Sequence, residues 1–335
     1  MQTAPPFPMP TTQVPSPQDA DYEDLLSLWA DLESGLAMVL ANPHNIPDFG
    51  SKIRQYDRWM QDLLQQDTDT ALYLLFQLAT NASVGYSALH ALVCAVLCHI
   101  TAHELRLVES ERDSLVCAAM TMNIGMTQLQ DSLAVQTSPP TDAQQTLIRN
   151  HADASRHVLT SVGITDPDWL DVVATHHNAH DPHSDVQTLG LVPRLAHTLR
   201  VVDRYAAMVS PRKSRTGRSV TESVRSIMAS AVGAHDPVGF ALVRAIGLCP
   251  PGTYVRMDSG ETAVVLRRSA KANHPLVAML ISRKGDTFVP PRLHRTATSS
   301  PLIQAALTQD AVKVRVNHQS LLRQGIYADR AAASR

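Results

Sequence analysis

The sequence predicts a mostly α-helical fold, with a helical N-terminal segment and a small β-rich C-terminal appendage. Three observations carry this expectation. Apolar residues recur at helical spacing from residue 21 to residue 247. Cap-type residues and prolines punctuate that pattern at intervals suited to separate helices. After Cys249-Pro250-Pro251-Gly252 the apolar period shortens to that of strands.

Residues 1–20 carry Pro5, Pro6, Pro8, Pro10, Pro15 and Pro17, and are expected to form a disordered tail. A first helix should start near Asp21, with Leu25, Trp29, Leu32, Leu36 and Val39 as its stripe, and stop at Asn42-Pro43. A second covers residues 51–64, and Thr68 or Asp69 opens a third. These make up the N-terminal segment, 21–80, a packing or dimerising element. The main helical domain is placed at 81–247. Its first helix holds Tyr86, His90, His99 and His103. Ser110 with Asp113, and Thr141 with Gln144, have capping-box spacing. Asp166-Pro167 and Asp236-Pro237 pair a cap with a first-turn proline, and the last helix should end at Gly247. In the appendage, 248–335, residues 254–257 and 262–266 flank the turn Asp258-Ser259-Gly260, and 276–282 is a third strand. Residues 302–307 and 319–324 are expected to be short helices.

Formal net charge is −2, so charge alone implies neither a nucleic acid nor a membrane surface as partner. The N-terminus lacks the charged start of a signal peptide, and the longest apolar run, 88–100, is too short to span a bilayer. Cys94, Cys98, Cys117 and Cys249 form no C-x-x-C pair and read as buried thiols of a reducing, cytoplasmic compartment.

The residues most suggestive of chemistry are His90, His151, His176, His177 and Asp203, each set in an apolar helical pattern. Buried imidazole is costly without a partner. A set of His plus one Asp drawn from several helices is the pattern of a metal site in a bundle core. Adjacent residues on a helix diverge by about 100°, so His176 and His177 are expected to serve two sites better than one. His99 and His103 have i,i+4 spacing but lack the flanking Glu of a zincin, and read as a core or surface pair. His180, Asp181 and His183 read as a solvated loop.

Residues 86–219 resemble the HD-GYP family of HD-domain metal-dependent phosphohydrolases. Tyr86-Ser87-Ala88-Leu89-His90 looks like its Y-T-x-x-H-S segment, and residues 141–151 like its L-T-x-x-E…H-P helix. His176-His177 matches the paired histidines. Val192-Pro193-Arg194-Leu195-Ala196 with Val201-Val202-Asp203-Arg204-Tyr205 matches the I-P-x-x-A-R…V-A-D-x-Y-D-A helix. The resemblance implies an HD-domain helical bundle, divalent Fe or Mn as cofactor, and hydrolysis of cyclic-di-GMP, with Arg212 and Arg215 contacting phosphate. The departures fall on the chemistry. Where the family reads H-D-x-G-K, this chain has Met122-Asn123-Ile124-Gly125-Met126. The GYP motif aligns with Ser184-Asp185-Val186, the Arg of A-R-I with His197 and the Asp of D-A with Ala206. Asn123 has no charge with which to bridge two cations, Met122 offers only a soft thioether, and Met126 brings no ammonium to a phosphate.

Three functions follow as expectations. The first is a degenerate family member with weak or no hydrolysis, acting as a nucleotide-binding or protein-interaction module in bacterial signalling. The second is a working phosphohydrolase with an altered metal site. The third is a structural role, with homodimerisation through the N-terminal helices and partner docking through the appendage. One or two divalent metals, or none, fit these in turn.

Overall fold

The computed structural model describes residues 17–81, 85–178, 186–210, 220–234, 236–308 and 311–333. The fold is the expected one: a helical bundle, an N-terminal helical segment, and a small antiparallel sheet towards the C-terminus.

The first helix, α1 (Pro17–Ala41), starts earlier than the sequence predicts. Proline suits the first helical turn, where its missing N–H costs nothing, so the helix begins inside the stretch expected to be disordered. Helix α2 (Phe49–Asn81) joins the two helices expected at 51–64 and beyond 68. Asp67 interrupts it with extended backbone (φ −164°, ψ 94°). Its carboxylate accepts from Thr70 N at 3.1 Å and Thr70 Oγ1 at 2.9 Å, capping the second half.

Helix α3 (Tyr86–Glu104) is the axis of the bundle. It packs against α1, α2, α4 (Glu109–Thr121), α5 (Thr127–Val135), α8 (Leu191–Val209) and α10 (Pro237–Ile246). A helix surrounded on every side is apolar all round, and α3 buries nearly every residue from Tyr86 to His99. By length and composition α3 could cross a membrane, but 89% of that window is buried inside the protein. Trp29, Leu32 and Leu36 of α1 point into the same core, so that stripe is occupied within the chain.

Helices α6 (Asp142–Ser161) and α7 (Pro167–Thr175) follow, and α9 (Val220–Ala234) lies between α8 and α10. The Thr141–Gln144 capping box is present, and Asp166 and Asp236 cap α7 and α10 through Trp169 N and Val238 N. The box at Ser110 is not. Helix α4 starts two residues earlier than a Ser110 cap would set, with Val108 as its N-cap and no side-chain cap.

The sheet comprises β1 (Tyr254–Met257), β2 (Thr262–Arg267), β3 (Leu276–Ile281), β4 (Thr287–Arg295) and β5 (Ile303–Leu307), in the order β4-β3-β2-β1-β5, all neighbours antiparallel. The stretch expected as a helix at 302–307 is β5, an edge strand paired with β1. Its alternation is weak, which is why it read as helical. Helix α11 (His318–Ala333) is much longer than the short helix expected there. Alternate strand residues serve two layers. Tyr254, Val264, Leu266, Ala278 and Leu280 pack with Tyr73 of α2 and Leu321 and Leu322 of α11. Val255, Ala263, Val265 and Val277 face the other way.

The sheet is bolted to the kink of α2. Arg267 Nη2 donates to Asp67 Oδ2 at 2.7 Å, and its Nη1 bonds the other oxygen. Arg268 pairs with Asp69. The side chains of Arg267 and Asp67 are only 8% and 11% exposed, so neither charge has water as a substitute. Arg267→Met should cost about 3–5 kcal/mol in denaturant unfolding. Adding Asp67→Asn, which keeps the cap, should recover part of that loss, and simple additivity of the two losses would show that the pair is not coupled.

Candidate metal centre

Three imidazoles converge at one end of the bundle. His151 lies midway along α6, and His176 and His177 follow the last residue of α7. His176 Nε2 is 3.4 Å and His177 Nε2 3.2 Å from His151 Nε2. The expectation that these adjacent histidines serve two sites is not met in this geometry: both lie past the last residue of α7, His176 keeping αR backbone (φ −62°, ψ −16°), and both rings reach His151.

Backbone carbonyls fix two of these rings. His151 Nδ1 lies 2.6 Å from the Ile148 carbonyl, and His176 Nδ1 lies 2.7 Å from that of Val173. A carbonyl only accepts, so each Nδ1 must carry the proton. In the neutral ring Nε2 is then a bare lone pair, and two such lone pairs face each other. His176 is 1% exposed. Burial pushes its pKa down to about 4, and the neighbouring His177 and His151 push the same way against the Val173 bond and Asp203. It is therefore neutral at pH 7. Neutral imidazoles with Nδ1–H anchored to backbone are what a cation needs at Nε2.

A second group lies beside the first. His90 Nε2 is 2.8 Å from Asp203 Oδ1 and 3.6 Å from Cys94 Sγ. His90 and Cys94 are one turn apart on α3, and Asp203 projects from α8. His90 and Cys94 are buried, and the Asp203 side chain keeps 20% exposure. Burial raises the Asp203 pKa, but the His90 hydrogen bond and the charges of His90, His176 and His177 outweigh it and hold the carboxyl at about 2. These last contributions tie Asp203 to both groups. Tyr86, one turn before His90, stacks on it at 5.8 Å. Cys94 was overlooked in the sequence because a thiol in an apolar run reads as packing. Its i,i+4 spacing from His90 was the available signal.

The positions that depart from the family pattern sit where α4 ends. Met122 is buried at 1% exposure, and Asn123 and Met126 are half-buried. Thr121 Oγ1 accepts from Trp169 Nε1 at 2.8 Å and donates to Cys117 O, which ties this end of α4 to α7. Gly125 N donates to Ser155 Oγ at 3.0 Å, seating the turn Ile124–Met126 against α6 one turn beyond His151. His197, in place of an arginine, bonds Asp236 at 2.7 Å and so supports the cap of α10. Arg212, Arg215, His180, Asp181, His183, Ser184 and Asp185 lie outside the described residues. Val186 is buried.

The His99–His103 pair lies at the opposite end of α3, with Nε2 atoms 3.2 Å apart. It lines a cleft of about 240 Å³ with Thr68 and Arg268. Among the described residues it gathers no third ligand within reach.

No family model matches the chain. It is similar to the cyclic di-GMP phosphodiesterase PA4108 of Pseudomonas aeruginosa, at 27% identity over 226 residues. The match takes in 66% of this chain and 53% of that protein, so the chain spans about half the length of the curated relative it matches.

Two outcomes test this geometry. A Cβ at Gly125 would come within 2.6 Å of Ser155 N and 2.8 Å of Ala154 C, both backbone. Gly125→Ala should therefore cost about 1–3 kcal/mol of stability, read as a lower denaturation midpoint. His99 is held neutral to about pH 4, first by burial and then by His103 and Arg112, against 6.5 in the unfolded chain. Its stabilising contribution is complete above about pH 6.5 and is lost as pH falls towards 4. The drop in Tm between pH 7 and pH 5 should shrink in His99→Leu.

Proposed function

We propose that this chain is a cyclic-di-GMP signalling protein of HD-GYP type that holds a divalent cation and hydrolyses the nucleotide weakly or not at all. The carrying observation is the facing pair of Nε2 lone pairs on His151 and His176, with His177 Nε2 at 3.2 Å from the first. Such an arrangement repels itself unless a proton or a cation lies between, and His176 gives up its proton below neutral pH. The similarity to a cyclic di-GMP phosphodiesterase supports the choice of nucleotide.

Under this reading His151, His176 and His177 would hold the cation, with Asp203 giving the nearest negative charge. Iron and manganese, the family's metals, accept such an N/O donor set. The cation would supply positive charge against a phosphate oxygen. The chain's residues orient and exclude: the Ile148 and Val173 carbonyls lock the rings, and burial keeps His176 unprotonated. Weak hydrolysis follows from Asn123 and Met126. A bridging carboxylate and an ammonium are each absent at positions that would meet the metals and the phosphate. Arg212 and Arg215 remain the proposed phosphate contacts, the N-terminal helices a proposed dimer element, and the appendage beyond residue 247 a proposed docking unit.

The test uses the full chain loaded with iron or manganese. Elemental analysis should find at least one equivalent of metal, and calorimetry should find cyclic-di-GMP binding. Turnover by chromatography should be about 100-fold or more below that of the same chain carrying Met122→His, Asn123→Asp and Met126→Lys together. Rapid turnover by the unsubstituted protein would remove the proposal.

A second reading, an active phosphohydrolase with an altered site, draws support from the neighbouring His90–Cys94–Asp203 group. It requires rapid turnover by the unsubstituted chain that falls in Asp203→Asn.

A further inference from the structure

We infer that Cys94 is a metal ligand, so that His90, Cys94 and Asp203 form a thiolate-containing site selective for a borderline-soft divalent cation such as zinc. The inference rests on the reading that this end of the bundle holds metal, and adds a ligand, a charge and a metal preference to it.

The geometry comes first. One ligand atom from each residue, the His90 imidazole, the Cys94 Sγ and an Asp203 oxygen, lies within 4.8 Å of the others. The i,i+4 spacing stacks His90 and Cys94 on one face of α3, and α8 brings Asp203 across. The Nε2 of His90 faces two neighbours, the Asp203 carboxylate at 2.8 Å and the Cys94 sulfur at 3.6 Å. Without a cation Nε2–H donates to the Asp203 carboxylate and leaves the sulfur only a long contact. A cation seated among the three satisfies all of them as acceptors. His90 Nδ1 is also buried without a hydrogen-bond partner among the described residues. Stacked Tyr86 fixes the ring plane instead.

Charge comes second. Where the family pattern has a carboxylate, Asn123 brings none. A thiolate at Cys94 with the Asp203 carboxylate restores two negative charges, which neutralise one divalent ion. The binding step balances: the cation takes up the sulfur lone pair, and the thiol proton leaves to solvent. Metal uptake therefore releases one proton per thiolate formed. The 20% exposure of the Asp203 side chain gives the ion its way in.

Thiolate changes the selectivity. Cysteine sulfur favours zinc and cobalt over manganese and magnesium, which prefer oxygen. The experiment loads the full chain with zinc and measures X-ray absorption fine structure on the unsubstituted protein, which needs no variant to fold. A sulfur shell at about 2.3 Å is expected. With cobalt in place of zinc, a near-ultraviolet thiolate-to-cobalt charge-transfer band should appear. It should vanish in Cys94→Ser and persist in Cys98→Ser and His151→Ala. Bound zinc with only nitrogen and oxygen neighbours would overturn the thiolate ligand and leave the metal-binding reading standing. A band that survives Cys94→Ser would overturn it equally. Protein that binds neither zinc, cobalt, iron nor manganese would overturn both.

Discussion

The bonds from His151 Nδ1 to the Ile148 carbonyl and from His176 Nδ1 to that of Val173 set the protonation of the bundle end. Each carbonyl belongs to the residue three positions back, so the anchor is local and the ring cannot turn without losing it. With Nδ1 committed, Nε2 is the only atom either ring can offer to a neighbour. Helix α6 must stand where its midpoint meets the end of α7, and α4 must end beside α7, as the Trp169–Thr121 bond ensures. The surrounding packing is in that sense subordinate to the aim of two lone pairs.

The same logic separates the three imidazoles from the group on α3. Around His151 the candidate ligands are imidazoles, which bring no negative charge of their own. Around His90 the polar groups are a carboxylate and a thiol whose pKa burial and the Asp203 charge push up. Asp203 stands between the two sets and feels the imidazoles of both. Asn123 brings no charge to the end of α4, so negative charge at this end of the bundle depends on what else can ionise within reach.

Much of the helical architecture was legible in the sequence, for definite reasons. Asp166-Pro167, Asp236-Pro237 and Thr141 with Gln144 are local signals whose partners lie within a few residues, and each forms as expected. Ser110 misled because two residues of the right type do not decide where a helix starts when Val108 is already positioned to lead in. Strand β5 was missed because an edge strand with weak alternation takes its identity from pairing with β1, which is remote in the chain. At the candidate site, His90, His151, His176, His177 and Asp203 could be picked out individually. As a set they also read as one metal site, but their division into two groups could not be read. The convergence of His176 with His177 depends on where α7 stops, and the membership of Cys94 depends on which face of α3 meets α8.

The clasp between Arg267 and the kink of α2 has a bearing on how the molecule comes apart. Asp67 and Asp69 would both be stranded if the strands peeled away, and Tyr73 would lose its bond to His318 at 2.7 Å. Detaching the C-terminal layer therefore exposes charge that the helices alone cannot neutralise. Bundle and sheet should melt as one cooperative unit, and force applied at the strands would be felt first in the bend of a helix that also packs on α3.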